Sequence, residues 1–171
     1  MLNGTSDKIL GIVGSYDSEN MKVTLAAKSS LTADELIDIQ ETVPDAYQTN
    51  AYWIMNRDTR KKIRKLKDSE GNYILNRAFN EKWDYELLGK PVYCSEKVEK
   101  LGTASKAVIF YGDFSGLAIK ETEEMEIQIL LEKFATQHAI GVVGYSELDA
   151  KVENTQKIAV AVSGATDPAS K

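Results

Sequence analysis

Apolar and polar positions change period several times along the chain, from two to nearly four and back, so strands and helices are both predicted. The apolar run Ile9 to Val13, the turn formers Gly14 to Asn20 and the run Met21 to Ala27 predict two strands around a turn. In the second, Val23, Leu25 and Ala27 alternate with Lys22, Thr24 and Ala26, as on a strand with one buried face. Thr32 and Glu35 have capping-box spacing, so a helix should start there. Leu36, Ile39 and Val43 would form its inner face, Asp34, Asp38 and Glu41 would face away, and Pro44 would stop it. Ala51 to Met55 reads as a strand, Asn56 as an N-cap, and Arg57 to Lys67 as a helix with only Ile63 and Leu66 on its apolar face.

Farther on, Asp68 to Gly71 is a turn signal, and Tyr73 to Leu75 a short strand before the polar stretch Asn76 to Asp84. Leu87 to Cys94 reads as a turn entering a strand with Pro91 at its first position and Val92 and Cys94 on one face. Ala107 to Tyr111, the turn Gly112 to Gly116 and Leu117 to Lys120 predict a β-hairpin. From Met125 onward, the alternation of Ile127, Ile129 and Leu131 favours a strand, although Ile127, Leu130, Leu131 and Phe134 would also suit a helix. Ala139 to Tyr145 and Lys157 to Val162, separated by the charged stretch Glu147 to Gln156, are expected to be paired strands. The tail from Gly164 to Lys171 is expected to be disordered. The pattern as a whole is α+β, a mixed β-sheet flanked by two or more helices.

Composition narrows the function classes. With 171 residues, 43% hydrophobic and 27% charged, the chain can bury one sizeable core and is neither disordered nor low-complexity. Its longest apolar runs are too short to span a bilayer, and no basic-then-apolar leader opens it, so no membrane association is expected. One cysteine, Cys94, and one histidine, His138, exclude an intrachain disulfide and a zinc cluster of these two residue types. Cys94 is read as a small core hydrophobe and His138 as a structural histidine rather than a triad member. Gly11 to Gly14 and Gly141 to Gly144 lack the lysine-hydroxyl pair and following helix of a phosphate cradle. Glu121, Glu123, Glu124 and Glu126 could serve a metal or acid-base chemistry, but an extended segment sends neighbouring side chains to opposite faces. A solvated or partner-facing acidic edge is the preferred reading. No catalytic residue, cofactor or metal is expected.

Charge is segregated. The predicted helix 57–67 holds Arg57, Arg60, Lys61, Lys62, Arg64, Lys65 and Lys67 against Asp58 alone. It carries +6 in a chain of net charge −5, which leaves −11 on the rest. Like charges this dense oppose helix formation and call for acidic neighbours or an anionic ligand. An interaction module binding an acidic partner or nucleic acid through this helix is one function class, and an enzyme using the glutamates is another.

A third class comes from resemblance. Asn3-Gly4-Thr5 through Leu10-Gly11-Ile12, then Thr32-Ala33-Asp34-Glu35-Leu36, then Ala51-Tyr52-Trp53-Ile54-Met55-Asn56 with Arg64 to Asp68 and Gly71 to Ile74, then Leu88-Gly89-Lys90-Pro91-Val92, and Tyr111-Gly112-Asp113-Phe114 stand in order along the chain. Together they resemble the major capsid proteins of tailed phages with the Hong Kong 97 fold. The likeness covers residues 3 to about 132. It departs where that family carries an arginine-rich strand motif and this chain has Gln137-His138-Ala139. The N-terminal arm, long loop and spine helix that precede this region in the family have no counterpart, so the chain looks like the C-terminal portion of a coat protein. The crosslinking activity of some members is not implied, because the loop is missing and Met125 to Gln137 has no asparagine.

The resemblance implies a non-enzymatic structural subunit of an icosahedral phage or prophage head, which assembles with copies of itself around five- and six-fold axes. Residues 16–128 would form the axial domain, and 1–15 with 129–171 the remainder of the peripheral domain, with a remnant antiparallel sheet. Partners would be copies of itself, possible other head proteins, and packaged DNA contacted without sequence specificity. The location would be the virion capsid after synthesis in the bacterial host cytoplasm. Candidate intersubunit contacts are Arg57, Arg60, Lys61, Arg64 and Lys65 with Glu121, Glu123, Glu124 and Glu126. Stripped of its covering helix, a peripheral sheet would expose apolar surface, so the isolated chain should self-associate without closing a shell.

Overall fold

The computed structural model describes residues 11–15, 21–67, 71–73, 76–77, 85–121 and 126–167. In chain order its elements are α1 (Ile12–Ser15), β1 (Lys22–Thr24), α2 (Ala33–Glu41), α3 (Asp45–Gln48), β2 (Tyr52–Met55) and α4 (Arg57–Ile63). These are followed by β3 (Asn76–Arg77), β4 (Tyr85–Leu87), β5 (Lys90–Cys94), β6 (Ala107–Gly112) and β7 (Leu117–Glu121). The last are β8 (Glu126–Leu130), β9 (Gly141–Tyr145), β10 (Leu148–Val152) and β11 (Ile158–Val162). Seven strands form one sheet in the order β1-β11-β6-β2-β5-β4-β3. The β1/β11 and β2/β5 pairs are parallel and the others antiparallel, so the sheet is mixed and the fold α+β. Two antiparallel pairs, β7/β10 and β8/β9, lie outside this sheet.

The sheet is built around β6 and β11, which are buried at every position. Uninterrupted apolar strands of this kind need cover on both faces. On one face Leu36 and Ile39 of α2, Val43 just beyond it and Ile63 of α4 pack with Trp53, Met55, Ile109, Tyr111, Ala159 and Ala161. On the other, Ile12 and Met21 pack with Phe110, Val152, Ile158 and Val160. The alternation along β11 sends small alanines toward α2, which lets that helix approach the sheet closely. Trp53 is fully buried, its ring centroid 4.3 Å from that of Tyr111, and its Nε1 donates to the Leu87 carbonyl at 3.1 Å. Tyr111 donates its hydroxyl proton to Gln48 Oε1, and Gln48 Nε2 donates to the Gln40 and Val43 carbonyls, which satisfies the end of α2.

The capping box at Thr32 and Glu35, the stop before Pro44, and the strands at Lys22–Thr24, Tyr52–Met55 and Glu126–Leu130 agree with the sequence pattern. Other pairings differ. Ile12–Ser15 is a helical turn rather than a strand, while Ile9 and Leu10 lie outside the described residues. The expected hairpin 107–120 does not form, because β6 pairs with β2 and β11 and β7 pairs with β10. Gly112 causes the departure. It sits at φ +140°, where a Cβ would lie 2.0 Å from the Lys157 carbonyl oxygen, and the 3-10 turn Phe114–Gly116, capped by Asp113, leads the chain out of the sheet. β9 pairs with β8 rather than with β11, and the presumed charged spacer contains β10.

The turn Leu88–Gly89, both residues at positive φ, joins β4 and β5 as a hairpin, and β5 begins at Lys90, one residue before Pro91. Tyr73 makes an isolated antiparallel bridge with Lys67, whereas residues 68–70, 74–75 and 78–84 lie outside the described set. The expected disordered tail is ordered as far as Asp167: Gly164 N–H donates to the Ala27 carbonyl at 3.2 Å and Ser29 N–H to Asp167 Oδ1 at 2.6 Å. Cys94, at the end of β5, is exposed rather than part of the core, whereas Val92 on the same strand is buried. In chemical denaturation, Trp53→Ala should lower stability by about 3–5 kcal/mol through the cavity it leaves. Thr32→Ala should cost about 1 kcal/mol through the lost cap.

Candidate interaction surfaces

α4 is held by its few inward side chains and presents its charge outward. Asn56 is buried, accepts from Asp58 N–H at 3.0 Å and donates to the Val98 carbonyl at 2.9 Å. Thr59 accepts from Leu101 N–H at 3.2 Å, and Ile63 is fully buried. The helix closes at Ile63 rather than Lys67. Lys65 and Leu66 donate to carbonyls three residues back, which tightens the last turn before the Lys67 bridge.

Among the described residues, the expected need for acidic neighbours is met only in small part. Asp58 pairs with Lys100 at 2.8 Å, and the Lys100 ammonium, by hydrogen bond first and charge second, holds the Asp58 carboxyl below its ordinary range. Neutral acceptors take other cations: Lys62 Nζ donates to the Ser29 and Leu101 carbonyls at 2.9 and 2.8 Å. The Arg60 and Arg64 guanidiniums, one helical turn apart, lie 4.5 and 4.9 Å from the centroid of the Tyr85 ring. The ring quadrupole thus offsets part of their mutual repulsion. Arg60, Lys61 and Lys62 also occupy the last turn, where the helix dipole favours cations. An open cleft of about 640 Å³ runs between Arg57, Arg60, Lys61 and Arg64 on one side and Glu96 and Lys100 on the other. Lys65 borders a second depression with Lys61 and Lys62.

The candidate acidic edge is only partly placed. Glu121 ends β7 opposite Leu148, Glu126 begins β8 opposite Tyr145, and both are exposed. Glu123 and Glu124 lie outside the described residues. No contact joins Glu121 or Glu126 to α4 among the described ion pairs.

Sequence reasoning placed the alternating strand at Ile127 correctly but did not locate its partner or its open face. Ile129 faces Val142 across the β8/β9 pair, and Ile127 shares their side. These three side chains are 64%, 67% and 63% exposed, and Leu131 and Ile140 at the ribbon's end are comparably open. Phe134 packs on the opposite side, over Gly141. An apolar row this open is a surface awaiting cover. The signal for it was present in the strict alternation. His138, read as structural, is exposed at φ +52° in the turn joining β8 and β9. Partial desolvation raises the Cys94 thiol above its ordinary value, which makes it a poor nucleophile at neutral pH.

The architecture is that of solved viral-type shells. The capsid of a native GTA particle computed with C5 symmetry aligns at a TM-score of 0.76 and 20% identity, over 94% of this chain and 58% of that one. The capsid of the empty GTA particle aligns at 0.72 and 21%, with the same coverage. A chain from Gordonia phage Cozz aligns at 0.61 and 13%, over 96% of this chain and 55% of that one. These likenesses define the capsid fold, and the model of the phage capsid family matches residues 1–163, so the chain belongs to that family. It spans about 58% of the length of the GTA capsid chains. A search of curated proteins finds no match.

Tyr85→Leu removes the ring beneath both guanidiniums and should cost about 0.5–2 kcal/mol, more at low salt than at high, while Tyr85→Phe should be nearly neutral. Denaturation curves at two ionic strengths check this.

Proposed function

We propose that the chain is a structural subunit of a phage or prophage head, assembling with copies of itself around five- and six-fold axes of an icosahedral shell that encloses a DNA genome. The single observation that carries this reading is the family match over residues 1–163. The surface chemistry supports it: the segregated charge and the apolar ribbon face lie outside, where repeated contacts between identical subunits would use them. The role is one of assembly, without catalysis. Its site is the virion capsid after synthesis in the host cytoplasm, where other head proteins and packaged DNA, gripped without sequence reading, would be neighbours.

Arg57, Arg60, Lys61, Arg64 and Lys65, together with Glu121, Glu123, Glu124 and Glu126, are the proposed contacts between copies. We further assign the axial role to the central sheet with α2 and α4, and the peripheral role to the ribbon from β7 to β10. Strand pairing supports this proposal, because β8 pairs with β9 outside the central sheet and β11 lies within it between β1 and β6.

The purified chain should associate with rising concentration in sedimentation velocity, and Ile127→Lys with Ile129→Lys should weaken that association by about tenfold or more through lost apolar burial. A strictly monomeric wild-type chain at high concentration would overturn the reading.

A further inference from the structure

The basic face of α4 has a complementary surface elsewhere on the same molecule. Along α2, Asp34, Asp38 and Glu41 are all exposed, with Asp45 just beyond at the start of α3, and the helix has no basic residue to offset them. Ile37 stands within this row, 46% exposed although large and apolar. Both helices cover the same face of the central sheet, since Leu36 and Ile39 share one core with Ile63.

They occupy different places in that layer. α2 packs on β11 and β6, whereas Arg60 and Arg64 reach Tyr85 on β4, three strand positions beyond β6. At the usual strand spacing this sets Tyr85 roughly 14 Å from β6, although the inner side of α4 comes close to the start of α2, where Lys62 Nζ donates to the Ser29 carbonyl at 2.9 Å. Among the described residues, no ion pair joins the two helices. Each charged flank is therefore left to be met from outside.

The geometry points to a head-to-tail contact in which the α4 cleft of one copy receives the acidic outer face of α2 from the next. Opposite charges on two flanks of one layer form a heterologous interface, and repetition of a heterologous contact generates a ring when the rotation closes. Tyr85 holds Arg60 and Arg64 side by side, so their free N–H groups are pre-set as forks for carboxylates. Ile37 supplies an apolar centre that the ring and the arginine stems can cover, while the charges form the rim. This assignment rests on the reading of the chain as a self-assembling subunit, and it names the surface that fills the basic cleft.

The test is sedimentation velocity at low and high salt on five variants of the full chain: D38K/E41K, R60E/R64E, these two combined, E121K/E126K, and E121K/E126K combined with R60E/R64E. Each of the first two should cut the salt-sensitive part of association about tenfold or more, and the combination should regain most of it. E121K/E126K, at the other proposed acidic contact, should not be rescued by R60E/R64E. If R60E/R64E instead rescues E121K/E126K and not D38K/E41K, the assignment to α2 is wrong while the subunit reading stands. Failure of the combined variant to recover association also overturns the assignment. Absence of any wild-type association overturns the subunit reading itself, and this contact with it.

Discussion

Burial of β6 and β11 from both sides is the constraint on which the remaining structure depends. Neither strand carries a charged residue, so the sheet exists only because α2 and α4 cover one face and Ile12, Met21 and Val152 close the other. Cover on the first face fixes where the two charged helices lie. Trp53 ties that face together by filling the space beneath them and bonding to the Leu87 carbonyl, so the β4/β5 hairpin and Tyr85 are held in register with α4.

The density of positive charge on α4 is tolerated because, among the described residues, few of its cations depend on a carboxylate. Lys62 is held by carbonyls, Arg60 and Arg64 by an aromatic face, and the last turn by the helix dipole. These neutral partners leave the formal charge intact. A helix satisfied by salt bridges within its own chain would be locally neutral and would offer a neighbour little, whereas this one remains strongly cationic at the surface. Stability of the fold and the charge at its surface are thereby separated.

Elements defined by local rules were legible in the sequence. The Thr32–Glu35 box, the Asn56 cap, the Pro44 stop and the strand alternation at Tyr52–Met55 and Glu126–Leu130 each depend on residues within a few positions of one another. The misreadings concern partners far apart in the chain. Nothing near Gly112 reveals that Lys157 will approach its backbone within a distance that excludes a side chain, so adjacency of two apolar runs suggested a hairpin that does not form. The ordered tail is a similar case, since its hydrogen bonds go to Ala27, Lys28 and Ser29. The basic half of the candidate surface could be read from composition alone, because clustered charge is a local property. The apolar ribbon face required knowledge of which strand lies opposite Ile129 and what covers the pair.

The place of β11 has a consequence for timing. This strand, formed by residues 158–162, lies between β1 and β6, so the central layer cannot be completed until residue 162 has left the ribosome. Pairings this distant in sequence are slow to close, and a nascent chain lacking β11 has an unfinished sheet on which α2 finds only half its seat. A complete central layer therefore requires residues 158–162, and a chain cut short before them would leave β1 without its strand neighbour.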